Sequence, residues 1–238
     1  MTVQAIILAA GMGTRLARPH PKPLTRLDDG RSIMAQQVEN LESAFGPKLH
    51  LTIVVGYQLE QVMGHVPDAS FVYNELFDRT NTSKSLLKAL RNSAEGGVLW
   101  MNGDVVFDPR MLGYLQQWIE SDTSFIAVDT SSVSDEEVKY TVGEDGFILE
   151  LSKQVQNPLG EAVGINYVSS ADKAALIQRL AQVHDQEYFE GGIELAIAED
   201  EARYLPIDIS SFYAVEVDFA EDLVRANEEM LGRRRVSA

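Results

Sequence analysis

Two hydrophobic rhythms alternate along this chain. Short continuous apolar runs at Val3–Leu8, Leu51–Val55 and Val98–Met101 predict strands covered on both faces, as in a parallel sheet. Phe71–Tyr73 and Phe125–Val128 read as shorter strands. Between them the spacing lengthens to the helical period. Ile33–Phe45 carries apolar residues at 33, 34, 38, 41 and 45, Leu59–Met63 reads as a short helix, and Ser83–Leu90 sets Leu86, Leu87 and Leu90 on one face. Pro109–Ile119 is a further helix with proline in its first turn. This alternation predicts an α/β fold, a three-layer sandwich with a mostly parallel, Rossmann-like central sheet.

After about residue 130 the texture changes. Short strands near 138–142, 147–151 and 163–168, with glycine turns at 143 and 146, precede helices near 171–183 and 190–199. Strands near 202–206 and 213–217 then lead into a final helix over 219–231. We read one domain in three parts: residues 1–130, a small β-rich insertion over 131–217 that completes the same site, and the C-terminal helical part over 218–238. The run Arg233–Arg235 reads as a solvated end.

Composition then works by exclusion. Thirty-six acidic residues against 20 basic ones give a formal net charge of −16, which argues against nucleic acid or an anionic membrane as a main partner. No cysteine is present, so disulfides, thiolate catalysis and cysteine-bound zinc are excluded. Histidines at 20, 50, 65 and 184 are too scattered to suggest a histidine metal site. The first ten residues read as a buried strand rather than a leader peptide, and no run approaches the ~18 apolar residues of a membrane span. The expectation is a soluble cytoplasmic protein, with a homodimer left open.

Candidate chemistry begins where the first strand ends. Leu8-Ala9-Ala10-Gly11-Met12-Gly13-Thr14-Arg15-Leu16 offers small residues for close backbone approach, free N–H groups for an anion, and a guanidinium suited to phosphate oxygens. Lys22 follows between Pro21 and Pro23, whose fixed backbone angles aim it. The loop is not a P-loop, because four residues between glycines and a Gly-Lys-Ser/Thr end are missing. Nor is it a dinucleotide fingerprint, because Leu16 stands where the third glycine belongs.

The combination Leu8–Leu16 with Lys22-Pro23-Leu24 resembles the signature of the sugar-phosphate nucleotidyltransferase superfamily. Within it the chain is most similar to small cytidylyltransferases such as phosphocholine cytidylyltransferase. Matching segments recur in order at 81–86, 102–104, 160–165 and 216–222. The resemblance implies that Leu8, Ala10, Gly11, Gly13, Thr14 and Arg15 wrap the NTP, and that Lys22 meets its α-phosphate. Arg15 and Lys22 are the implied catalytic pair. It places Asn81, Thr82, Ser85 and Gly103 near the nucleotide, although capping of a helix by Thr82 or Ser83 explains that segment equally well. It places Asp104, Lys153, Glu161, Tyr188, Glu190 and Glu216 near the acceptor, with core packing as the ordinary use of Tyr188. Asp104 and Asp218 are the implied Mg²⁺ ligands, while Asp218 with Glu221 also fits a capping box. Thr82 departs from the asparagine common in phosphocholine enzymes.

The activity implied is transfer of a nucleoside monophosphate, CMP from CTP in the first instance, to a small phosphorylated acceptor with release of pyrophosphate. Phosphocholine, an aminoalkylphosphonate and a polyol phosphate are the acceptors considered. A sugar-1-phosphate uridylyl- or guanylyltransferase is the alternative within the class, and a catalytically silent nucleotide-binding module the alternative outside it. A glycosyltransferase fits less well, because Gly103-Asp104-Val105-Val106 offers one acid where an Asp-x-Asp motif offers two.

Overall fold

The computed structural model describes residues 2–236 apart from Ala17, Ser132 and Asp135; the side chains of Thr14 and of residues 233–236 lie outside the described set. The strands are β1 (Val3–Ala9), β2 (Leu49–Val55), β3 (Ser70–Tyr73), β4 (Val98–Asn102), β5 (Val105–Phe107), β6 (Phe125–Asp129), β7 (Lys139–Val142), β8 (Ile148–Ser152), β9 (Gly160–Val168), β10 (Leu205–Asp208) and β11 (Ala214–Glu216). The helices are α1 (Ile33–Phe45), α2 (Leu59–His65), α3 (Thr82–Arg91), α4 (Arg110–Glu120), α5 (Lys173–Gln182), α6 (Phe189–Asp200) and α7 (Ala220–Val236).

The central sheet runs β10-β6-β9-β4-β1-β2-β3, with the β7–β8 hairpin attached through β9. Every pairing along that path is parallel except the two made by β9. Side chains of β1 alternate between the two layers. Val3, Ala5, Ile7 and Ala9 pack toward α1, α2 and α4, whereas Ile6 and Leu8 pack toward α3, α5 and α6. This is the expected α/β sandwich, and each buried aliphatic side chain contributes about 1.5–3 kcal/mol to holding the layers together.

Several boundaries differ from the sequence reading. The strand expected at 202–206 lies at Leu205–Asp208, parallel to β6. Gly160 and Glu161, ahead of the strand expected near 163–168, already belong to β9 and pair with Tyr140 and Lys139. Strand β5 had no separate signal, since Val105–Phe107 is a three-residue apolar run after a turn. It finds its partner β11 more than a hundred residues on, in an antiparallel two-stranded sheet. A third apolar cluster, including Leu16, Ile33, Val106, Val215, Val217, Ala226 and Met230, packs α7 and the end of the glycine loop against that small sheet.

Candidate active site

Parallel β1 and β4 bring their carboxyl ends to one edge of the sheet, where ligands of open α/β folds bind. Gly103 N–H donates to the Leu8 carbonyl at 2.9 Å, and a Cβ at Gly103 would lie 2.6 Å from that oxygen. Only glycine therefore lets the β4 turn close against β1. The fully buried Gln37 on α1 donates from Nε2 to the carbonyls of Asn102 at 2.8 Å and Val105 at 2.9 Å, clamping the turn that carries Asp104. Val217 N–H donates to the Asp104 carbonyl at 3.1 Å, so the residue after β11 brings Asp218 to the same place. Gly13 has φ +59°, and a Cβ there would stand 2.8 Å from that of Lys22. The glycine loop thus folds over the lysine.

These elements build a network of opposite charges. Lys22 Nζ donates to Asp104 Oδ2 at 2.7 Å and also to Asp218 Oδ1. Arg15 Nη1 donates to Asp218 Oδ2 at 3.0 Å. Burial alone would lower the Lys22 ammonium, but Asp104 and Asp218 outweigh it and hold the lysine above its ordinary value. Burial would likewise raise Asp218, yet Lys22 and then Arg15 hold its carboxyl below the usual range. Arg15, Lys22 and Asp218 are each shifted toward their charged forms, and Lys22 sits between two carboxylates.

The opposite end of the same cavity, about 300 Å³ in volume, is lined by Glu137, Lys153, Tyr188, Phe189, Glu190 and Glu216. No cation pairs with its carboxylates at ion-pair distance among the described residues. Burial pushes Glu190 up to about 7, and its Oε2 has no hydrogen-bond donor among the described residues. Burial, with the nearby charges of Asp104, Glu137 and Glu190, raises Glu216 well above the carboxylate range despite a 3.3 Å hydrogen bond from Asn102 Nδ2. Burial and the charge of Glu161 also raise Glu137. Lys153 Nζ lies 5.4 Å from the centre of the Tyr188 ring.

Residues 5–187 match the sequence profile of the MobA-like NTP transferase domain, well over half of the chain. The chain belongs to the MobA-like NTP transferases. Among curated relatives of this transferase, the bifunctional protein GlmU of Methanococcus maripaludis is 27% identical over 174 residues, covering 71% of this chain and 39% of that protein. The CMP-5'-(3-aminopropyl)phosphonate synthase of Streptomyces rubellomurinus is 35% identical over 119 residues, covering 46% of this chain and 18% of that protein. The transferase spans less than half the length of either relative. Its fold superposes on the CTP:phosphocholine cytidylyltransferase of Streptococcus pneumoniae with a TM-score of 0.74 at 19% identity, over 96% of this chain and 99% of that one. On the inositol-1-phosphate CTP transferase of T. maritima the TM-score is 0.75 at 17% identity, over 96% and 97% of the two chains. Among the described residues of the transferase, no helix is long and apolar enough to cross a membrane.

In this transferase Leu8, Gly11, Gly13, Arg15, Lys22, Asn81, Thr82, Gly103, Asp104 and Asp218 line the cavity together with the residues of its opposite end. The side chain of Thr14 lies outside the described residues, and three other sequence candidates do not line the cavity. Ala10 packs into the core beneath the loop. The hydroxyl of Ser85 is buried and accepts from Asn74 Nδ2 at 3.0 Å, because its helical position turns it under α3. Glu161 Oε2 accepts from the Ser134 amide at 2.8 Å. The cap of α3 is Asn81, whose Oδ1 accepts from Thr82 N–H at 2.8 Å, rather than Thr82 or Ser83. At α7, Asp222 Oδ2 accepts from the amides of Asp218 and Phe219, so the capping carboxylate is Asp222 and that of Asp218 faces Lys22 and Arg15. Sequence reasoning missed Glu137, which sits in an irregular segment before β7 with no periodic signal, and the amide of Asn102, which was visible in the Asn102-Gly103-Asp104 motif.

A divalent cation suits the Asp104–Asp218 pair on two observations. One ammonium already bridges both carboxylates, so their oxygens converge on a point that a single cation can share. Asp104 Oδ1 is buried with no donor among the described residues, leaving it available as a ligand. No cluster of three or more acidic or histidine ligands occurs among the described residues. That donor set suits Mg²⁺, which keeps waters and takes substrate phosphate oxygens alongside one or two carboxylates.

Proposed function

We propose that this transferase moves CMP from CTP onto a small phosphorylated acceptor bearing a cationic head, with Mg²⁺ and release of pyrophosphate in the cytoplasm. The observation that carries the nucleotidyl-transfer reading is Lys22, held at one point by Asp104 and Asp218 beneath the glycine loop. Backbone N–H groups of Gly11–Gly13 and the Arg15 guanidinium bind the triphosphate at that end. An oxygen of the acceptor phosphate attacks the α-phosphorus. The bond from α-phosphorus to the α,β-bridging oxygen breaks, and pyrophosphate carries that electron pair away. Lys22 stands where negative charge builds on the α-phosphate, a preorganised charge aimed at the transition state. Asp104 and Asp218 would hold Mg²⁺, which supplies charge neutralisation and alignment of the two phosphates. The acceptor phosphate is already ionised near neutral pH, so its attack requires no general base. Lys153, with no hydrogen bond to its ammonium among the described residues, is free to meet that phosphate.

The cationic head is supported by the lining of the other end. Glu137, Glu190 and Glu216 form no ion pair at contact distance among the described residues, and the Tyr188 ring lines the same end of the cavity. Carboxylate and aromatic face together favour an ammonium. Support for CTP comes from the two CTP-dependent enzymes that share the fold and the CMP-phosphonate synthase among the relatives.

The test is pyrophosphate release with CTP, UTP, GTP and ATP, each against phosphocholine, aminoethylphosphonate, inositol 1-phosphate and glucose 1-phosphate. The expected result is turnover with CTP and a phosphorylated amine. A preference for UTP or GTP with a neutral sugar phosphate would overturn both finer assignments.

A further inference from the structure

A second cavity of about 520 Å³ lies behind the acceptor end. Val138, Lys153, Tyr188 and Glu190 line both chambers and form the wall between them. Beyond the wall Leu151, Val183 and Leu195 supply an apolar strip among polar neighbours, and the lining adds the carboxylates of Glu187 and Glu194. Both volumes lie within the roughly 300–1,000 Å³ typical of small-molecule sites.

The wall itself marks a cation locus. Lys153 Nζ stands 5.4 Å from the centre of the Tyr188 ring, occupying an aromatic face with the protein's own ammonium. Beside it Glu190 is 8% exposed and its Oε2 has no donor among the described residues. A buried unpaired carboxylate oxygen is costly unless a donor arrives. Were Lys153 to turn to the acceptor phosphate, the ring face would open, and the orphan oxygen would meet a cation on the substrate.

A cation at the wall constrains the rest of the acceptor. Its phosphate must reach Lys22 and Asp104 in the first chamber. Any further substituent on the cationic centre then projects the other way, into the second chamber. We propose that the natural acceptor is an elongated phosphorylated amine, whose nitrogen sits between Tyr188 and Glu190 and carries an apolar-stemmed extension past Lys153. This rests on the cationic-head reading above. Glu187 and Glu194 at the far end match an extension that finishes in a second amine.

The experiment compares O-phosphoethanolamine with its N-butyl and N-(4-aminobutyl) derivatives, using CTP and pyrophosphate release. The expected result is a KM at least tenfold lower for both extended amines at similar kcat, lowest for the diamine. Leu195→Trp, which fills the second chamber, should abolish that gain and leave the short parent unchanged. Gln154→Trp, at the exposed rim of the chamber, gives the same comparison should Leu195→Trp fail to fold. Turnover of phosphoethanolamine with no gain, or a loss, for the extended amines in the unmodified protein overturns the proposal and spares the cationic head. Turnover of inositol 1-phosphate but of no amine overturns both.

Discussion

The two ends of one cavity handle charge in opposite ways. At the phosphate end Lys22, Arg15, Asp104 and Asp218 compensate one another, and each ionisable partner that shifts does so toward its charged form. At the opposite end Glu137, Glu190 and Glu216 are all pushed toward the neutral form, because burial strips their water and the charge of Lys153, which acts on Glu137 and Glu190, offsets that only in part. On the proposed function, the first end trades internal ion pairs for phosphates and metal, and the second receives a positive charge from the substrate. A neutral sugar phosphate in that end would leave these carboxyls in their neutral form, whereas a cation would draw them into the charged one.

Breaking the compensated end should have the largest effect. Lys22→Ala should lower kcat by about 10²–10³-fold in a pyrophosphate-release assay, the usual cost of removing a preorganised charge. Near-normal turnover would remove the assignment of that end. Within the same end, Asp218→Asn should lose Mg²⁺-dependent turnover at a nearly unchanged melting temperature, whereas Asp222→Asn should keep turnover and lose about 1 kcal/mol of stability. The opposite pattern would show that capping, not metal binding, is the task of Asp218.

The uncompensated end gives an intermediate effect. Glu190→Gln should raise KM for a cationic acceptor by about 10–100-fold, the worth of a hydrogen bond to a charged group, while kcat changes little. Because burial raises Glu190 to about 7, its carboxylate is mostly neutral at pH 6 and mostly charged at pH 8. The ratio kcat/KM for the ammonium acceptor should therefore climb about tenfold over that interval and then level off. In Glu190→Gln the climb should vanish; if it persists, another group titrates.

The smallest effect should come from Gly164, in the middle of β9 at φ +67°, where a Cβ would lie 2.5 Å from Glu216 Oε1 and 2.7 Å from Asn102 Nδ2. Gly164→Ala should cost about 1–2 kcal/mol in chemical denaturation from the left-handed backbone alone. It should also raise the acceptor KM, because Glu216 must move. A loss of stability with no change in acceptor KM would separate Glu216 from the acceptor.

How much of this was legible in sequence follows the same divide. At one end, the contiguous stretch from Leu8 to Lys22 carried its own local pattern, whereas Asp104 and Asp218 were singled out by the family resemblance; the structure brings all four of Arg15, Lys22, Asp104 and Asp218 to one cavity. The central strands were equally plain, because burial on both faces removes every polar interruption from β1 and β4. What sequence did not show depends on distant pairing. Strand β5 exists because β11 lies beside it, Glu137 reaches the cavity through the β7–β9 meander, and Ser85 is withdrawn by its bond to Asn74. The capping exchange between Asp218 and Asp222 turned on side-chain direction, which spacing alone leaves open.

The reversed direction of β9 has a consequence for how divisible the molecule is. Among the described residues, strand β6, which ends at Asp129, pairs in the sheet only with β9 and β10, both supplied by later sequence. Strand β4 is flanked by β1 on one side and β9 on the other. A chain cut near residue 130 would thus leave β6 with no neighbour and turn β4, the most central of the buried apolar strands, into a bare sheet edge. Such an edge is a template for pairing with other chains. The phosphate-binding portion, self-contained as its motif looks on paper, cannot be lifted out as a working module, and ribosomal synthesis must deliver the last third before the first can close its sheet.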